Sequence, residues 1–183
     1  MLAAIFLDRD GVIIENRPTY VRSWADVAFY PQALDALGKI SSSPYKIVVV
    51  TNQSAVGRGL ITLETAMQIN HQVVETIVGQ GGRIDGIFMC PHAPEDGCDC
   101  RKPQPGLFFQ AAQALALDLQ RSSLVGDAYS DLLAGQAANL HQTAIVRTGR
   151  GEAQLLLPKP AGLKTFLTFD SLADALNDLA WLA

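Results

Sequence analysis

The chain has 183 residues, of which 49% are hydrophobic and 17% charged, a balance typical of a compact globular protein rather than a disordered one. Its formal net charge of −4 argues against nucleic acid or an anionic membrane as the main partner, although a local basic pocket could still bind a small anion. The longest apolar runs, LAAIFL and KIVVV, are much shorter than the roughly 20 residues that span a bilayer, so we expect no membrane segment.

The amino-terminal stretch MLAAIFLDRDG lacks the basic region and the cleavage site of a signal peptide, and it continues directly into acidic residues. We therefore expect a cytoplasmic protein. A chain of this length fits a single domain, here 1–183, and we expect it to be a monomer.

Short apolar runs alternate with helical patterns along the chain. In chain order they predict strand 2–7, helix 31–40, strand 45–50, helix 62–78, strand 84–89, helix 106–117, strand 123–125, helix 129–140, strand 143–146 and helix 171–182. Pro31 suits the first turn of a helix, and Thr62 can cap the next one. This alternation predicts an α/β fold: one Rossmann-like parallel sheet with helices on both faces. The Gly/Pro-rich stretch 149–162 predicts a surface loop.

Polar residues follow the predicted strands, and in such sheets the site lies at the carboxyl ends of the strands. The segment 8–11 (DRDG) follows the first strand, 51–54 (TNQS) the second, and the cysteine-containing stretch 90–102 the third. Asp127 and Asp131 follow the fourth. The fold would therefore bring carboxylates, a hydroxyl–amide pair and a lysine to one edge of the sheet.

Asp8 and Asp10 allow two interpretations. Asp and Gly suit turns, so 8–11 could be a turn and nothing more. Alternatively, the two carboxylates could converge on a metal, and Asp127 would add the further strand-end carboxylate that a Mg²⁺ site needs.

The second interpretation assembles a phosphate-transfer site. Asp8 can attack a phosphate monoester to form an aspartyl-phosphate, while Mg²⁺ screens the repulsion between the two anions. Asp10 can protonate the leaving oxygen and then deprotonate the hydrolytic water. Thr51 and Asn52 offer donors to phosphate oxygens, and Lys102 can neutralise the remaining charge.

All three cysteines of the chain lie within eleven residues, in the pattern Cys-x-His-x₅-Cys-x-Cys formed by Cys90, His92, Cys98 and Cys100. This set suits a structural zinc, which prefers four N/S ligands and leaves no open position for a catalytic water. A redox dithiol, a disulfide and incidental loop residues are the alternatives; the odd cysteine count disfavours a disulfide. A zinc staple would fix the backbone that leads into Arg101 and Lys102.

Four segments, FLDRDG, VVVTNQS, CRKPQPG and LVGDAYSD, resemble the four ordered motifs of the haloacid dehalogenase-like phosphatases. They mark out roughly residues 4 to 131; each motif alone is weakly specific, whereas all four in order are specific. The cysteine pattern narrows the resemblance to the capless histidinol-phosphatase and heptose-bisphosphate-phosphatase subgroup, which carries a zinc loop, here 90–102.

The resemblance implies a role for each motif residue. Asp8 would be the nucleophile and Asp10 the general acid/base, with Mg²⁺ held by Asp8, the Asp10 backbone carbonyl and Asp127. The remaining implied roles are phosphoryl binding for Thr51 and Lys102, substrate recognition for Arg101, and support of Lys102 or the metal shell for Asp131. A carboxylate at the Asp10 position favours hydrolysis over dehalogenation.

Two features depart from the pattern of the family. Val12 stands where many relatives carry Thr, which removes a hydroxyl but no catalytic group. We expect the segment 15–20 to be one residue longer than in close relatives, so its substrate contacts are expected to differ from theirs.

The expected substrate is a small sugar phosphate, because TNQSAVGRG and ENRPTYV look closer to the heptose-bisphosphate phosphatases than to the histidinol-phosphatases. Histidinol phosphate and other small phosphomonoesters are alternatives; a non-catalytic zinc-stabilised binding module is disfavoured because the five catalytic positions are intact. The candidate substrate contacts are Arg9, Asn16, Tyr20, Asn52, Gln53, Ser54, Arg58 and Arg101. Arg17 adds a cation, and Arg58 binds a second phosphate or sugar hydroxyls unless it is a solvated loop residue.

Overall fold

A computed structural model describes residues 1–177 and 182 of the chain. Its strands are β1 (Ala4–Leu7), β2 (Lys46–Asn52), β3 (Gly86–Cys90), β4 (Ser123–Gly126), β5 (Gln142–Val146) and β6 (Leu167–Phe169). Its α-helices are α1 (Pro31–Lys39), α2 (Ser54–Gly57), α3 (Leu63–Gly79), α4 (Gly106–Leu115), α5 (Tyr129–Ala137), α6 (Gly151–Leu155) and α7 (Leu172–Asn177).

The six strands of the described residues form one parallel sheet in the order β3-β2-β1-β4-β5-β6. The predicted α/β architecture is therefore confirmed, and β1 to β5 correspond to the five predicted strands. β6 was not predicted, because a three-residue edge strand that is only partly buried carries no readable alternation. The strand order reverses between β1 and β4, which is where ligands bind in open sheets of this kind.

The predicted helices are present, with ends that differ by a few residues. Thr62 caps α3, since its Oγ1 accepts a hydrogen bond from the backbone N–H of Thr65 at 3.1 Å. The helix predicted over 171–182 is observed as α7, and residues 178–181 lie outside the described part of the chain. The predicted loop 149–162 contains the short helix α6, which is too brief to be recognised by periodicity. No helix among the described residues has the length and apolar character needed to cross a bilayer.

Alternate residues of the central strands face opposite sides of the sheet. Ile5 and Leu7 of β1 pack in a cluster with α1, α3 and α7, whereas Ala4 and Phe6 pack in a second cluster with α4 and α5. Both faces are thus covered, as expected for a parallel sheet. Rigid packing on both sides fixes the carboxyl ends of β1, β2 and β4, from which the polar residues extend.

Candidate active site

Three buried carboxylates converge beyond the strand ends. Asp8 follows β1, Asp127 follows β4, and Asp131 lies in the first turn of α5; each offers an oxygen, and these oxygens lie within 4.8 Å of one another. Asp131 Oδ2 accepts hydrogen bonds from the backbone N–H groups of Asp127 and Ala128, so it also caps its own helix. Gly11, whose φ is +90°, packs directly against Asp127, and a Cβ at this position would collide with Asp127 Oδ2.

Lys102 lies between two of these carboxylates. Its Nζ is 2.8 Å from Asp8 Oδ1 and 2.7 Å from Asp131 Oδ1, and it donates a third bond to the Val50 carbonyl at 2.8 Å. Burial alone would lower the pKa of Lys102, but the charges of Asp131 and Asp8 outweigh burial and hold that pKa above its usual value. Lys102 is therefore a fixed cation directly beside the candidate nucleophile.

The carboxylates themselves are crowded. Burial raises the pKa of Asp8 to about 7, opposed by Lys102 and reinforced by the charges of Asp131, Asp127 and Asp10. Burial, with the charge of Asp131, also raises the pKa of Asp127, although Arg150 opposes the rise. Buried oxygen ligands that repel one another fit a hard divalent cation such as Mg²⁺, whose charge would relieve the repulsion.

Asp10 is not one of these converging carboxylates, although it lines the same cavity as Asp8, and it is held by its neighbours. Arg9 donates to both of its carboxylate oxygens, and Gln53 Nε2 donates to Asp10 Oδ2 at 2.8 Å and to Thr51 Oγ1 at 2.9 Å. Arg9 is buried and lies behind Asp10 rather than against the cavity, so its position does not match the expected substrate contact. Sequence reasoning had no signal for the direction of this side chain.

A cavity of about 560 Å³ opens over these groups. Its lining includes most of the predicted site residues, namely Asp8, Asp10, Asn16, Tyr20, Asn52, Gln53, Ser54, Arg101 and Lys102. Arg17, Ser130, Asp131 and Arg150 also line it. Thr51 and Asp127 are fully buried beneath the lining.

Two arginines lie differently from the expectation. Arg58 is not part of the cavity lining, and its Nη1 lies 3.7 Å from Glu95 in the cysteine loop. Arg150, which was not singled out, lines the cavity and donates to Asp127 from its backbone N–H at 2.8 Å and from Nη2 at 3.0 Å. Arg150 lies four residues past the carboxyl end of β5, so the strand-end rule applied to the fifth strand would have found it.

The loop after β3 gathers the predicted zinc ligands. Cys90 Sγ and Cys100 Sγ lie 3.6 and 3.5 Å from Cys98 Sγ, and 3.5 and 3.4 Å from His92 Nδ1. The thiols are free, so there is no disulfide. Tetrahedral zinc with bonds of about 2.3 Å to sulfur would space its sulfur ligands about 3.8 Å apart, so the cluster fits such an ion with little adjustment.

The cysteine loop is tied to the cavity through its last residues. The Arg101 backbone N–H donates to Cys98 Sγ at 3.3 Å, and the Arg101 guanidinium donates to Ser54 Oγ. Asn52 pairs with the backbone of Lys102, accepting from its N–H and donating to its carbonyl, each at 3.1 Å. The loop thus presents both cations at fixed positions.

A parallel sheet with carboxylates after its first and fourth strands and a buried lysine between them defines the class of haloacid dehalogenase-like phosphatases. Residues 99–175 match the HAD-hydrolase-like family model. The D-glycero-beta-D-manno-heptose-1,7-bisphosphate 7-phosphatase of Pseudomonas aeruginosa is 37% identical over 169 residues, which cover 92% of this chain and 93% of that protein. The enzyme of the same name from Pseudomonas putida is 35% identical over 96% of this chain and 98% of its own.

A solved structure of the same kind of phosphatase is also similar to this chain. The D,D-heptose 1,7-bisphosphate phosphatase from B. bronchiseptica, complexed with magnesium and phosphate, superimposes with a TM-score of 0.89 at 34% identity and covers 98% of each chain. The chain therefore belongs to the D-glycero-beta-D-manno-heptose-1,7-bisphosphate 7-phosphatase family of haloacid dehalogenase-like phosphatases.

Proposed function

We propose that this chain is a Mg²⁺-dependent phosphatase that removes the 7-phosphate of D-glycero-D-manno-heptose 1,7-bisphosphate through an aspartyl-phosphate on Asp8. The observation that carries the proposal is the buried carboxylate of Asp8, which lies 2.8 Å from Lys102 Nζ at the base of the cavity. The names and the high coverage of its relatives support the substrate.

The reaction has two steps. In the first, an Asp8 oxygen attacks phosphorus, the bond to the sugar oxygen breaks, and Asp10 donates a proton to that oxygen. In the second, water attacks the aspartyl-phosphate while Asp10 takes its proton, which releases inorganic phosphate and regenerates Asp8. Lys102 neutralises charge on the transferring group throughout, and Thr51 adds a hydroxyl donor.

We assign the magnesium to Asp8, Asp127 and the backbone carbonyl of Asp10. When bound, Mg²⁺ supplies positive charge that offsets the phosphate and the nearby carboxylates. The related B. bronchiseptica structure contains magnesium and phosphate. Asp131 already accepts from Lys102 and two backbone N–H groups, which supports a role in holding Lys102 rather than in binding metal.

We assign a structural Zn²⁺ to Cys90, His92, Cys98 and Cys100, which holds the loop 90–102 and with it Arg101 and Lys102. In this proposal the whole chain, 1–183, is one capless phosphatase domain that acts as a cytoplasmic monomer. The cavity mouth is then formed by loops alone.

The charges around the cavity support a bisphosphate substrate. Lys102 is already paired with Asp8 and Asp131, but Arg17, Arg101 and Arg150 also line the cavity and offer further donors to a second phosphate. Histidinol phosphate carries a protonated amine, which these cations would repel, and an imidazole in place of a second phosphate. We expect kcat/KM for the heptose bisphosphate to exceed that for histidinol phosphate by at least about tenfold, or about 1.4 kcal/mol.

A phosphate-release screen over sugar bisphosphates, sugar monophosphates and histidinol phosphate tests both parts of the proposal. Asp8→Asn serves as the matched control, with its fold checked by thermal unfolding. Turnover by Asp8→Asn near the wild-type rate would end the aspartyl-phosphate mechanism. A preference for histidinol phosphate would end the heptose assignment and leave the phosphatase assignment standing.

A further inference from the structure

We infer that Asn70, on helix α3, is a positioning residue for proton transfer: it holds Arg9, and Arg9 in turn orients the carboxylate of Asp10. The inference rests on the acid/base role of Asp10 in the proposed function. It concerns a residue that lies outside the catalytic cavity and would have no direct contact with substrate there.

The first link is the pairing of Arg9 with Asp10. The Arg9 side chain is 1% exposed, and its guanidinium donates from Nε to Oδ2 at 3.1 Å and from Nη2 to Oδ2 and Oδ1 at 2.9 and 3.1 Å. A planar guanidinium that contacts both oxygens fixes the rotation of a carboxylate as well as its position. Asp10 can therefore turn only if Arg9 moves with it.

The second link is the hydrogen bond from Arg9 to Asn70. Arg9 Nη1 donates to Asn70 Oδ1 at 2.6 Å, and Asn70 Nδ2 faces Met89 Sδ at 3.4 Å, which sets the amide with its oxygen toward Arg9. Asn70 is 4% exposed in the middle of a 17-residue helix. Asparagine is a poor residue for such a position, since it favours caps and turns, and its burial requires a partner. The partner is the buried arginine.

The contacts also distinguish the two oxygens of Asp10. Oδ2 accepts from Arg9 and from Gln53 Nε2, whereas among the described residues the hydrogen bond to Oδ1 comes from Arg9 Nη2 alone. The Asp10 side chain remains 19% exposed toward the cavity. Oδ1 thus has fewer partners than Oδ2, and in this inference it is the oxygen that exchanges a proton with the leaving group while Asn70, through Arg9, fixes its orientation.

Asn70→Leu tests this chain, because it removes the acceptor for Arg9 while keeping the number and branching of the side-chain heavy atoms. We expect kcat/KM for the sugar phosphate to fall at least about tenfold, since a small displacement of a reacting group can cost up to about 10². For p-nitrophenyl phosphate, whose leaving group needs little protonation, we expect a fall of less than about threefold.

Asn70→Asp keeps an oxygen for Arg9 and should retain most of the wild-type rate. His71→Ala, at an exposed neighbour, is the matched control and should change neither rate.

Asp10→Asn, assayed in parallel, separates this inference from the proposed function. It should show the same selective loss with a larger magnitude, and Asn70→Leu added to it should cost nothing more. Equal losses on both substrates for Asp10→Asn would overturn the acid role of Asp10 itself. A selective loss for Asp10→Asn combined with an unselective loss, or none, for Asn70→Leu would overturn the positioning role alone. A further tenfold loss in the double variant would also overturn it.

Discussion

Arg150 and Arg58 both extend from loops near the candidate site, but they face different partners. The Arg150 guanidinium lines the cavity and reaches Asp127, whereas Arg58 lies near Glu95 of the cysteine loop and is not part of the lining. Both side chains are about half exposed, so their locations rather than their burial separate them. Only Arg150 of the two is placed to meet a second phosphate.

We expect Arg150→Ala to lower kcat/KM for the heptose bisphosphate about tenfold more than for p-nitrophenyl phosphate, because a charge-assisted bond to a distal phosphate contributes roughly 1.5–3 kcal/mol. Arg58→Ala is the matched control and should leave the ratio of the two substrates within about twofold. Steady-state assays of phosphate release measure both. A larger change for Arg58→Ala than for Arg150→Ala would contradict the assignment.

At the scale of elements, Asp85 joins the start of β3 to β2. Its Oδ1 accepts from Lys46 Nζ at 2.7 Å, while its Oδ2 accepts from the Ile47 backbone N–H at 2.9 Å and lies 3.1 Å from Arg83 Nε. Burial raises the pKa of Asp85, but these donors and charges outweigh it and bring the pKa below its usual value. The ionised form is thus favoured by folding.

We expect Asp85→Asn to lower the free energy of unfolding by about 1–3 kcal/mol at pH 7. Because folding lowers this pKa, the stabilisation is complete above the ordinary Asp value of about 4 and is lost as the pH falls through the lower folded value. The gap between wild type and Asp85→Asn should therefore shrink below about pH 4 in urea unfolding experiments. Exposed Asp35→Asn is the control; a gap that stays constant down to pH 2 would contradict the assignment.

The cysteine loop is a second element-scale unit, because its cysteine and histidine side chains converge on one another while Cys90 and Cys100 also pack in the apolar cluster that contains Phe6 and Phe108. We expect about one zinc per chain in protein purified without chelator, and loss of that zinc in Cys98→Ser/Cys100→Ser and in His92→Ala. His71→Ala, at an exposed position of α3, should keep the zinc. Metal analysis of each protein measures this directly, and zinc-free wild-type protein would refute the site.

At the scale of the whole molecule, two adjacent phenylalanines on α4 differ in burial although they are the same residue type. Phe108 is fully buried and packs edge-on against Phe6 of β1 with ring centroids 5.0 Å apart, whereas Phe109 is half exposed. Phe108 therefore ties α4, and with it the end of the cysteine loop, to the centre of the sheet.

We expect Phe108→Ala to lower the free energy of unfolding by about 3–5 kcal/mol, because it removes buried surface and leaves a cavity. Phe109→Ala should change it by no more than about 0.5 kcal/mol. Denaturant unfolding of both variants gives the comparison. Similar losses for the two would contradict the packing of Phe108 against Phe6.

Much of the site could be predicted from the sequence because parallel βα units bring strand ends to one edge whatever the details of packing. Asp8 and Asp127 directly follow buried strands, and Lys102 leads into a helix at the same edge. Correct prediction of the strands was therefore enough to predict that these three side chains lie close together. The cysteine and histidine spacing likewise predicted the cluster, since its four members lie within one short loop. For these residues, local pattern and chain order were sufficient.

Only the tertiary structure decided where the intervening side chains point. Arg9 lies between two aspartates of the same motif, yet it turns inward to Asn70, sixty-one residues away in the chain. Arg150 turns toward Asp127, whereas Arg58 turns toward Glu95 and does not line the cavity, although both are loop arginines next to glycines. The direction of such a side chain depends on which distant element offers a partner, and that depends on how α3, the cysteine loop and the segment after β5 pack against the sheet.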